Sequence, residues 1–202
     1  MKINIFDLDK TILCIDCENL LINKLKKKKI INKKIAEIFN KMYLKYTKNK
    51  LNFKKYINLT KKILKIKIIK KFLNNFHNLL KNKIYKLIYK IIKINTNNII
   101  STSSNLKIIE KFCIKILKTK VIANSDKLKN YRKYKVYNIL KYIINKNKIR
   151  KIIFYTDSIN DLSMINFSNK SVLINPDEKL TKLFQRKKIK CLFIKTRIKI
   201  NK

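Results

Sequence analysis

The spacing of apolar residues changes along the chain, and each change predicts a different kind of element. Residues 2–6 (Lys-Ile-Asn-Ile-Phe) form a short apolar-rich run that predicts a strand ending at Asp7. From about residue 16 to residue 94, apolar side chains recur at three- and four-residue spacing, which predicts helices without an intervening strand. After residue 94, short apolar runs alternate with helical stretches.

The alternating part predicts strands over residues 98–100, 121–123, 151–155, 172–174 and 191–194. It predicts helices over residues 105–117 and 133–144, another from Asp161 to Ile165, and one that starts within Asn175-Pro176-Asp177-Glu178 with Asn175 as its cap. Strands that alternate with helices favour a parallel sheet with right-handed crossovers. We therefore expect an α/β, Rossmann-like three-layer core of residues 1–15 and 95–202, with residues 16–94 inserted after the first strand as an all-helical cap.

The chain is strongly basic, but its charge is not concentrated in one place. Fifty-two Lys and Arg residues against 11 Asp and Glu residues give a formal net charge of +41, and glycine is absent. Lys, Ile and Asn dominate, and their codons are rich in A and T. We interpret this as mutational drift in an AT-rich genome, so we expect nonspecific, salt-dependent attraction to polyanions and no specific nucleic-acid partner.

The cysteines and the single histidine do not form a zinc pattern. Cys14 and Cys17 make a C-x-x-C, but Cys113 and Cys191 are isolated, whereas a structural zinc site needs four ligands in paired spacing. We expect reduced packing thiols. We interpret His77, which lies in an apolar helical stretch, as a packing residue.

The N-terminal residues do not look like a secretory signal, because Asp7 and Asp9 interrupt the first apolar run. No apolar run reaches the roughly 18 residues of a membrane-spanning helix. We therefore expect a cytoplasmic protein without a membrane partner, whose oligomeric state the sequence leaves open.

Four of the few acidic residues lie in two clusters directly after predicted strands. Asp7 and Asp9 follow the first strand, and Asp157 and Asp161 follow the strand over residues 151–155. The carboxyl ends of parallel strands meet at one edge of a sheet, where open α/β sheets form their reactive crevice. Carboxylate oxygens are the ligands that Mg²⁺ prefers. The clusters predict a metal-assisted phosphoryl-transfer site.

Four motifs along the chain resemble, in order, those of the haloacid dehalogenase-like (HAD) hydrolases: Asp7-Leu8-Asp9-Lys10-Thr11, Ser101, Lys135 and Asp157-x-x-x-Asp161. The resemblance covers essentially the whole chain. The run from Phe154 to Leu162 and the position of the helical insertion are most similar to subfamily IB, the phosphoserine-phosphatase-like group. The late segment 173–180 (LINPDEKL) resembles the branch often assigned as histidinol-phosphatases.

The resemblance implies a role for each acidic residue of the first and last motifs. Asp7 would attack phosphorus to give an aspartyl-phosphate, and Asp9 would protonate the leaving alcohol and then deprotonate water. The cofactor Mg²⁺ would be held by the Asp7 carboxylate, the Asp9 backbone carbonyl and Asp157. The residues just around these metal ligands would be Asp161, Ser158 and Asn160.

The resemblance also implies ligands for the phosphate group of a small-molecule ester. Thr11 and Ser101 would offer hydroxyl groups, and Lys135 would offer a positive charge. Thr102 and Ser103 compete with Ser101, because the Ser/Thr run leaves the register open. Other lysines that could take the place of Lys135 are Lys127, Lys129 and Lys133.

The substrate hypothesis depends on Asp16, which lies nine residues after Asp7 where phosphoserine phosphatases carry an acidic group for the substrate ammonium, and on Glu18 nearby. All four arginines follow position 131, so the cap has none to bind a carboxylate. Histidinol phosphate, which has an ammonium and an imidazole but no carboxylate, is therefore favoured, and phosphoserine is the alternative. Phosphoryl transfer to an acceptor other than water stays open, and a basic nucleic-acid-binding protein on a decayed HAD scaffold is the rival class.

The sequence departs from the family pattern where relatives often have glycine. Lys10 and Tyr134 occupy two such positions. Because the chain has no glycine at all, we expect its loops to use strained backbone or asparagine where φ must be positive.

Overall fold

A computed structural model of the 202-residue chain describes residues 2–47, 50, 52–144, 151–187 and 192–194. In these ranges, six strands form one sheet in which all neighbours are parallel. The strands are β1 (Lys2–Phe6), β2 (Asn98–Asn105), β3 (Lys120–Asn124), β4 (Lys151–Thr156), β5 (Lys170–Ile174) and β6 (Leu192–Ile194). The order β3-β2-β1-β4-β5-β6 reverses between β1 and β4, which makes their carboxyl ends the switch point where such sheets bind ligands. The predicted Rossmann-like α/β fold is confirmed.

Helices cover both faces of the sheet. They are α1 (Cys17–Lys27), α2 (Lys33–Thr47), α3 (Phe53–Leu64), α4 (Lys67–Lys81), α5 (Lys86–Ile94), α6 (Leu106–Lys111), α7 (Lys133–Ile144), α8 (Leu162–Phe167) and α9 (Glu178–Lys187). The described residues between β1 and β2 contain helices and no strand of the sheet. The domain boundaries at residues 15 and 94 stay a prediction, because one apolar cluster includes side chains from both sides of them.

The molecule has two apolar cores, one on each face of the sheet. Successive residues of a strand point to opposite faces and therefore belong to different cores. Phe6 and Ile100 pack with helices α1–α6, whereas Ile5, Ile99 and Phe154 pack with side chains of α7, α8 and α9. This alternation places the sheet between two helical layers.

The chain crosses between the sheet and helices α1–α5 twice, and the two crossings lie side by side. The Cys14 N–H donates to the Lys83 carbonyl oxygen over 2.8 Å, and the Tyr85 N–H donates to the Ile12 carbonyl oxygen over 2.9 Å. Leu13 and Ile84 form an antiparallel bridge between them. The paired crossings (residues 12–14 and 83–85) connect the helices to the edge of the sheet that carries Asp7.

Two predicted element ends were wrong. The second strand does not stop at residue 100 but continues to Asn105, and its irregular pairing with β3 resumes at Asn105 and Asn124. The helix predicted over residues 105–117 is a short α6 followed by a π-helical turn at Phe112–Ile116.

The cap of α9 is Asp177 and not Asn175. Asp177 Oδ1 accepts a hydrogen bond from the Leu180 N–H over 2.8 Å, and Pro176 precedes this cap. Asn175 instead has a φ of 43°, so it turns the chain before the helix begins. Cys191, the predicted first residue of the last strand, lies outside the described residues.

Several non-glycine residues have the left-handed backbone conformation, as expected for a chain without glycine. Positive φ angles are found at Lys10 (58°), Lys29 (56°), Lys118 (52°), Arg132 (52°) and Asn175 (43°). A side chain with a Cβ atom is strained in this region, and asparagine tolerates it better than lysine or arginine. The absence of glycine therefore places strain in several loops.

The histidine and the described cysteines have packing environments. His77 is buried, and its Nε2–H donates to the Ile108 carbonyl oxygen over 2.8 Å; burial lowers the pKa of the ring. Cys14, Cys17 and Cys113 are free thiols. No helix within the described ranges has the length and apolar character needed to span a membrane.

Candidate active site

Asp7, Lys135 and Asp161 form a buried ion-paired cluster at the carboxyl edge of the sheet. The Asp7 N–H donates to the Tyr155 carbonyl oxygen over 2.9 Å, so the pairing of β1 with β4 continues one residue beyond β1. The Lys135 ammonium, carried by α7, lies 2.7 Å from Asp7 Oδ1 and 2.7 Å from Asp161 Oδ1. Three residues that are far apart in sequence therefore converge on one point.

Burial sets Lys135 apart from its neighbouring lysines. Lys135 is 1% exposed, whereas Lys127 and Lys133 are exposed to solvent. Lys129 packs against aromatic rings. Among the four candidates of the third motif, the structure brings Lys135 to the acidic cluster, while its contact with phosphate stays a prediction.

The charges in this cluster shift each other's pKa. Burial raises the pKa of Asp7 to about 6; the Lys135 charge opposes this rise, and Asp161 adds to it. Burial would lower the pKa of Lys135, but the negative charges of Asp161 and Asp7 outweigh burial and hold that pKa above its ordinary value. Lys135 is thus a permanent cation beside Asp7.

Asp157 lies beside this cluster at the end of β4. Burial and the Asp7 charge raise the pKa of Asp157 well above its ordinary value. The Thr11 hydroxyl donates to Asp157 Oδ1 over 2.9 Å, and Thr11 is fully buried. Thr11 therefore holds Asp157 in this structure, and its predicted contact with phosphate stays a prediction.

The carboxylates at this edge have the chemistry of a hard-cation site. Asp7, Asp157 and Asp161 are buried at this edge, and the ion pairs of Lys135 within the described residues go to Asp7 and Asp161. Within the described ranges, no group of three or more His, Cys, Asp or Glu side chains is arranged to hold a metal ion. The predicted ligand set needs only two side chains, Asp7 and Asp157, because its third oxygen is the Asp9 backbone carbonyl.

The second aspartate of the first motif is held on both oxygens. Asp9 Oδ1 accepts a hydrogen bond from the Cys17 N–H over 2.8 Å, and Oδ2 accepts one from the Ser104 hydroxyl over 2.5 Å. Burial, and after it the Asp16 charge, raises the pKa of Asp9 to about 7. A carboxyl group with such a pKa can give and take a proton near neutral pH.

Asp16 and Glu18 have different environments. Asp16 caps α1 by accepting from the Asn19 N–H over 2.9 Å, and it is partly exposed. Glu18 is buried and accepts from the Tyr56 hydroxyl over 2.7 Å and from the Asn105 N–H over 2.6 Å. Burial raises the pKa of Glu18 to about 8. Asp16 is therefore the better placed of the two to meet a ligand.

Ser103 lines the cleft and Ser101 does not, while the choice of Ser101 over Thr102 and Ser103 as a phosphate ligand stays a prediction. Ser101 is fully buried, and its hydroxyl oxygen accepts from Asn130 Nδ2 over 3.2 Å. Ser103 lines the cleft, and its hydroxyl lies 3.0 Å from the Tyr46 hydroxyl. The physical reason is that β2 runs past residue 101 before it reaches the sheet edge.

Ser158 and Asn160 lie in the turn between β4 and α8. The Ser158 hydroxyl oxygen accepts from the Asn160 N–H over 3.2 Å, and Asn160 Oδ1 accepts from the Arg132 guanidinium over 3.3 Å. Both residues line the cleft. Their predicted place around a metal ion stays a prediction.

These residues open into one main cleft of about 500 Å³, whose walls include Asp7, Asp9, Asp16, Asp157 and Ser103. Six of the 11 acidic residues line it, and the cations among its described lining residues are Lys10 and Lys179. In a chain of charge +41, this acidic lining would repel a phosphate group unless a cation were bound.

A smaller side cavity of about 50 Å³ shares Asp9, Asp16 and Ser103 with the main cleft. Four aromatic rings line it, those of Phe39, Tyr43, Tyr46 and Tyr56. In the sequence these aromatic residues recur at helical spacing, which by itself is typical of core packing. Their role in the cavity could not be read from that spacing, because it depends on the contact of α2 and α3 with the end of β2.

No protein-family model matches this sequence, and no match was found among the curated proteins. Solved structures do match. A protein of unknown function from Bordetella pertussis Tohama I has a TM-score of 0.78 at 14% identity, with 96% of this chain and 98% of that chain covered. A phosphoserine phosphohydrolase-like protein from Francisella tularensis has a TM-score of 0.63 at 16% identity, over 97% and 96% of the two chains.

A third match is the HAD-hydrolase YfnB from Bacillus subtilis, whose structure is bound to magnesium. Its TM-score is 0.56 at 13% identity, over 93% of this chain and 99% of that chain. At these identities the likeness concerns the fold. This chain has the fold of the haloacid dehalogenase-like hydrolases.

Proposed function

We propose that this protein is a Mg²⁺-dependent phosphomonoesterase that acts through an aspartyl-phosphate on Asp7. The observation that carries the proposal is the convergence of Asp7, Asp157 and Lys135 at the switch point of the sheet, at the base of a cleft of about 500 Å³. A cleft of this size suits a small ester. The fold likeness to a phosphoserine phosphohydrolase-like protein supports the same reaction class.

The residues at the cleft fit a magnesium ion. Asp7, the Asp9 backbone carbonyl and Asp157 would hold it, and all three supply hard oxygen atoms. The unbalanced negative charge of the cleft and the magnesium-bound fold neighbour support this ligand set. When bound, the ion would neutralise charge so that the nucleophile and phosphate can approach each other.

The side chains then divide the reaction into two displacements. An Asp7 carboxylate oxygen attacks phosphorus, the bond from phosphorus to the ester oxygen breaks, and Asp9 gives its proton to the leaving alcohol. In the second step Asp9 takes a proton from water, the water oxygen attacks phosphorus, and the bond to Asp7 breaks to release inorganic phosphate. Lys135 keeps Asp7 oriented and offers positive charge to the phosphate.

The proposal includes separate roles for the core (residues 1–15 and 95–202) and the cap (residues 16–94). Residues 16–94 would close over the leaving group, since α2 and α3 supply Tyr43, Tyr46 and Tyr56 to the side cavity. A cytoplasmic location also belongs to it, supported by the free thiols of the described cysteines.

For the substrate, we propose an amine-bearing ester, with histidinol phosphate favoured over phosphoserine. Asp16 lies where the two cavities meet and offers an anionic partner for an ammonium group. The side cavity is lined by aromatic rings and carries no Lys or Arg among its described lining residues, so it suits an imidazole better than a carboxylate. Glu18 contributes little here, because Tyr56 and Asn105 already occupy its carboxyl group.

A phosphate-release assay with purified protein tests the proposal. Activity on histidinol phosphate is expected to need Mg²⁺ and to disappear with a chelator, with kcat/KM about tenfold or more above that for phosphoserine. Asp16→Asn is expected to raise KM for histidinol phosphate more than for p-nitrophenyl phosphate, which has no ammonium. Preference for phosphoserine would overturn the substrate choice alone, whereas no phosphate release from any ester would overturn the reaction class.

A further inference from the structure

A second open pocket, of about 410 Å³, adjoins the main cleft on the other side of Tyr46. We call it the basic pocket, and its walls include Tyr46, Lys129, Tyr131, Arg132, Lys133 and Tyr134. Three of these side chains are cationic, and the described lining residues include no carboxylate. Its charge is thus opposite to that of the main cleft, although the two pockets share a wall.

Aromatic rings hold one of the three cations in place. The Lys129 ammonium lies 4.2 Å from the ring centre of Tyr134, 4.9 Å from that of Tyr131 and 5.8 Å from that of Phe53. Burial opposes its charge, but the contacts with Tyr131 and Tyr134 outweigh burial and keep the pKa of Lys129 above its ordinary value. The pocket therefore has a fixed positive charge at its aromatic wall.

Arg132 connects the basic pocket with the main cleft. Its backbone has a φ of 52°, one of the positive φ angles that this glycine-free chain places in its loops. Its guanidinium donates to Asn160 Oδ1 over 3.3 Å, and Asn160 lines the main cleft. Among the described residues this is the one hydrogen bond of the guanidinium, so its other N–H groups can meet a ligand there.

We propose that the basic pocket binds a nucleoside phosphate, with the phosphate on Arg132 and Lys133 and the base against the tyrosine rings. The volume of the pocket exceeds what a bare phosphate ion needs and is in the range of small-molecule sites. Guanidinium and ammonium groups bind phosphate through charge-assisted hydrogen bonds. Tyrosine rings stack on nucleic-acid bases whatever their sequence. A nucleoside phosphate can contact both the cationic and the aromatic side chains of the pocket, whereas a simple anion can contact only the cations.

Calorimetric titration of the full chain with adenosine monophosphate tests this binding. The titration is done in chelator and about 150 mM salt, so that the acidic main cleft has no metal to attract phosphate and long-range charge is screened. We expect adenosine monophosphate to bind at least tenfold more tightly than adenosine or inorganic phosphate. Because this readout is binding, its failure would not touch the proposed phosphatase activity.

Variants separate the pocket from the general basic charge of the protein. Arg132→Gln and the exposed Lys133→Gln are each expected to weaken binding of adenosine monophosphate by about fivefold or more, and Lys133→Gln serves if Arg132→Gln fails to fold. The matched control is Lys141→Gln, since Lys141 lies 4.8 Å over the ring of the exposed Tyr137 on α7. Equal weakening by Lys141→Gln, or equal affinity for inorganic phosphate, would overturn the proposal.

Discussion

The Ser104 hydroxyl donates a hydrogen bond to Asp9 Oδ2 over 2.5 Å, although 95 positions separate the two residues in the chain. Together with the Cys17 N–H on the other oxygen, it restricts the rotation of the Asp9 carboxyl group. Ser104 belongs to none of the four motifs. We infer that it orients the group proposed to move the proton.

Ser104→Ala is expected to slow hydrolysis of alkyl phosphates by about tenfold or more and that of p-nitrophenyl phosphate much less. An alkoxide leaves poorly without a proton from Asp9, whereas nitrophenolate leaves readily without one. The measurement is kcat for both esters. Ser168→Ala is the control, because that serine bonds the Ile165 carbonyl oxygen away from the cleft. Equal slowing with both esters would contradict an orienting role.

Asp7→Asn is expected to reduce turnover at least about a thousandfold, because an amide cannot form the aspartyl-phosphate. Mass spectrometry of acid-quenched reactions should find the phosphorylated wild-type protein and no phosphorylated variant. Asp126→Asn is the matched control, since Asp126 lies at the surface between Lys61 and Lys107. Substantial turnover by Asp7→Asn would exclude the covalent route.

Lys29→Gly is expected to stabilise the protein by about 1 kcal/mol and to raise its Tm by about 2–4 °C. Lys29 has a φ of 56° in a Schellman motif, where its N–H bonds the Lys26 carbonyl oxygen and the Ile30 N–H bonds that of Leu25. Thermal unfolding measures the change. Lys26→Gly, within α1, should lower Tm instead, and a lower Tm for Lys29→Gly would show that this backbone is not strained.

The buried Glu18 predicts a stability that falls as pH rises. Burial raises the pKa of Glu18 from its ordinary 4.5 to about 8, so between these values the folded protein binds a proton that the unfolded chain has lost. The free energy of unfolding should therefore decrease with pH across this window, by at most about 1.4 kcal/mol per pH unit.

Glu18→Gln should remove that part of the pH dependence, because glutamine stays neutral. Urea unfolding at pH 5.5 and pH 8 compares the variant with the wild type. The control is Glu37→Gln, an exposed glutamate paired with Lys33 one helical turn away. Parallel pH dependences for wild type and Glu18→Gln would contradict the raised pKa.

The meeting of Asp7 and Asp157 could be predicted from sequence, because each follows an apolar run that forms a parallel strand. Their register follows from the pairing of Phe6 with Tyr155. The sequence could not single out Lys135 as the residue of the third motif, because the neighbouring candidates are lysines as well. Its distinction is that it lies with Asn138 and Ile139 on the buried face of α7.

The register of the second motif could not be predicted, because a polar run looks like the end of a strand. Here the run stays in the sheet since asparagine side chains bond its backbone: Asn130 Nδ2 donates to the Thr102 carbonyl oxygen over 2.9 Å. The burial of Glu18 could not be predicted from the sequence either. Its hydrogen-bond partners Tyr56 and Asn105 lie 38 and 87 positions away in the chain. The spacing of residues around Glu18 therefore could not predict these contacts.

The hydrogen-bonded crossings at residues 12–14 and 83–85 have a mechanical consequence. Because the two segments are hydrogen-bonded to each other, they would act as one hinge. Any rotation of helices α1–α5 against the sheet would then have its axis near Leu13 and Ile84. Asp16 follows directly after the first crossing and would hardly move in such a rotation. Tyr46, near the C-terminal end of α2, lines both cavities and would move with the helices. Such a rotation would therefore change access to the cleft beside Tyr46, while Asp16, the proposed partner of the substrate ammonium, would stay near its present position.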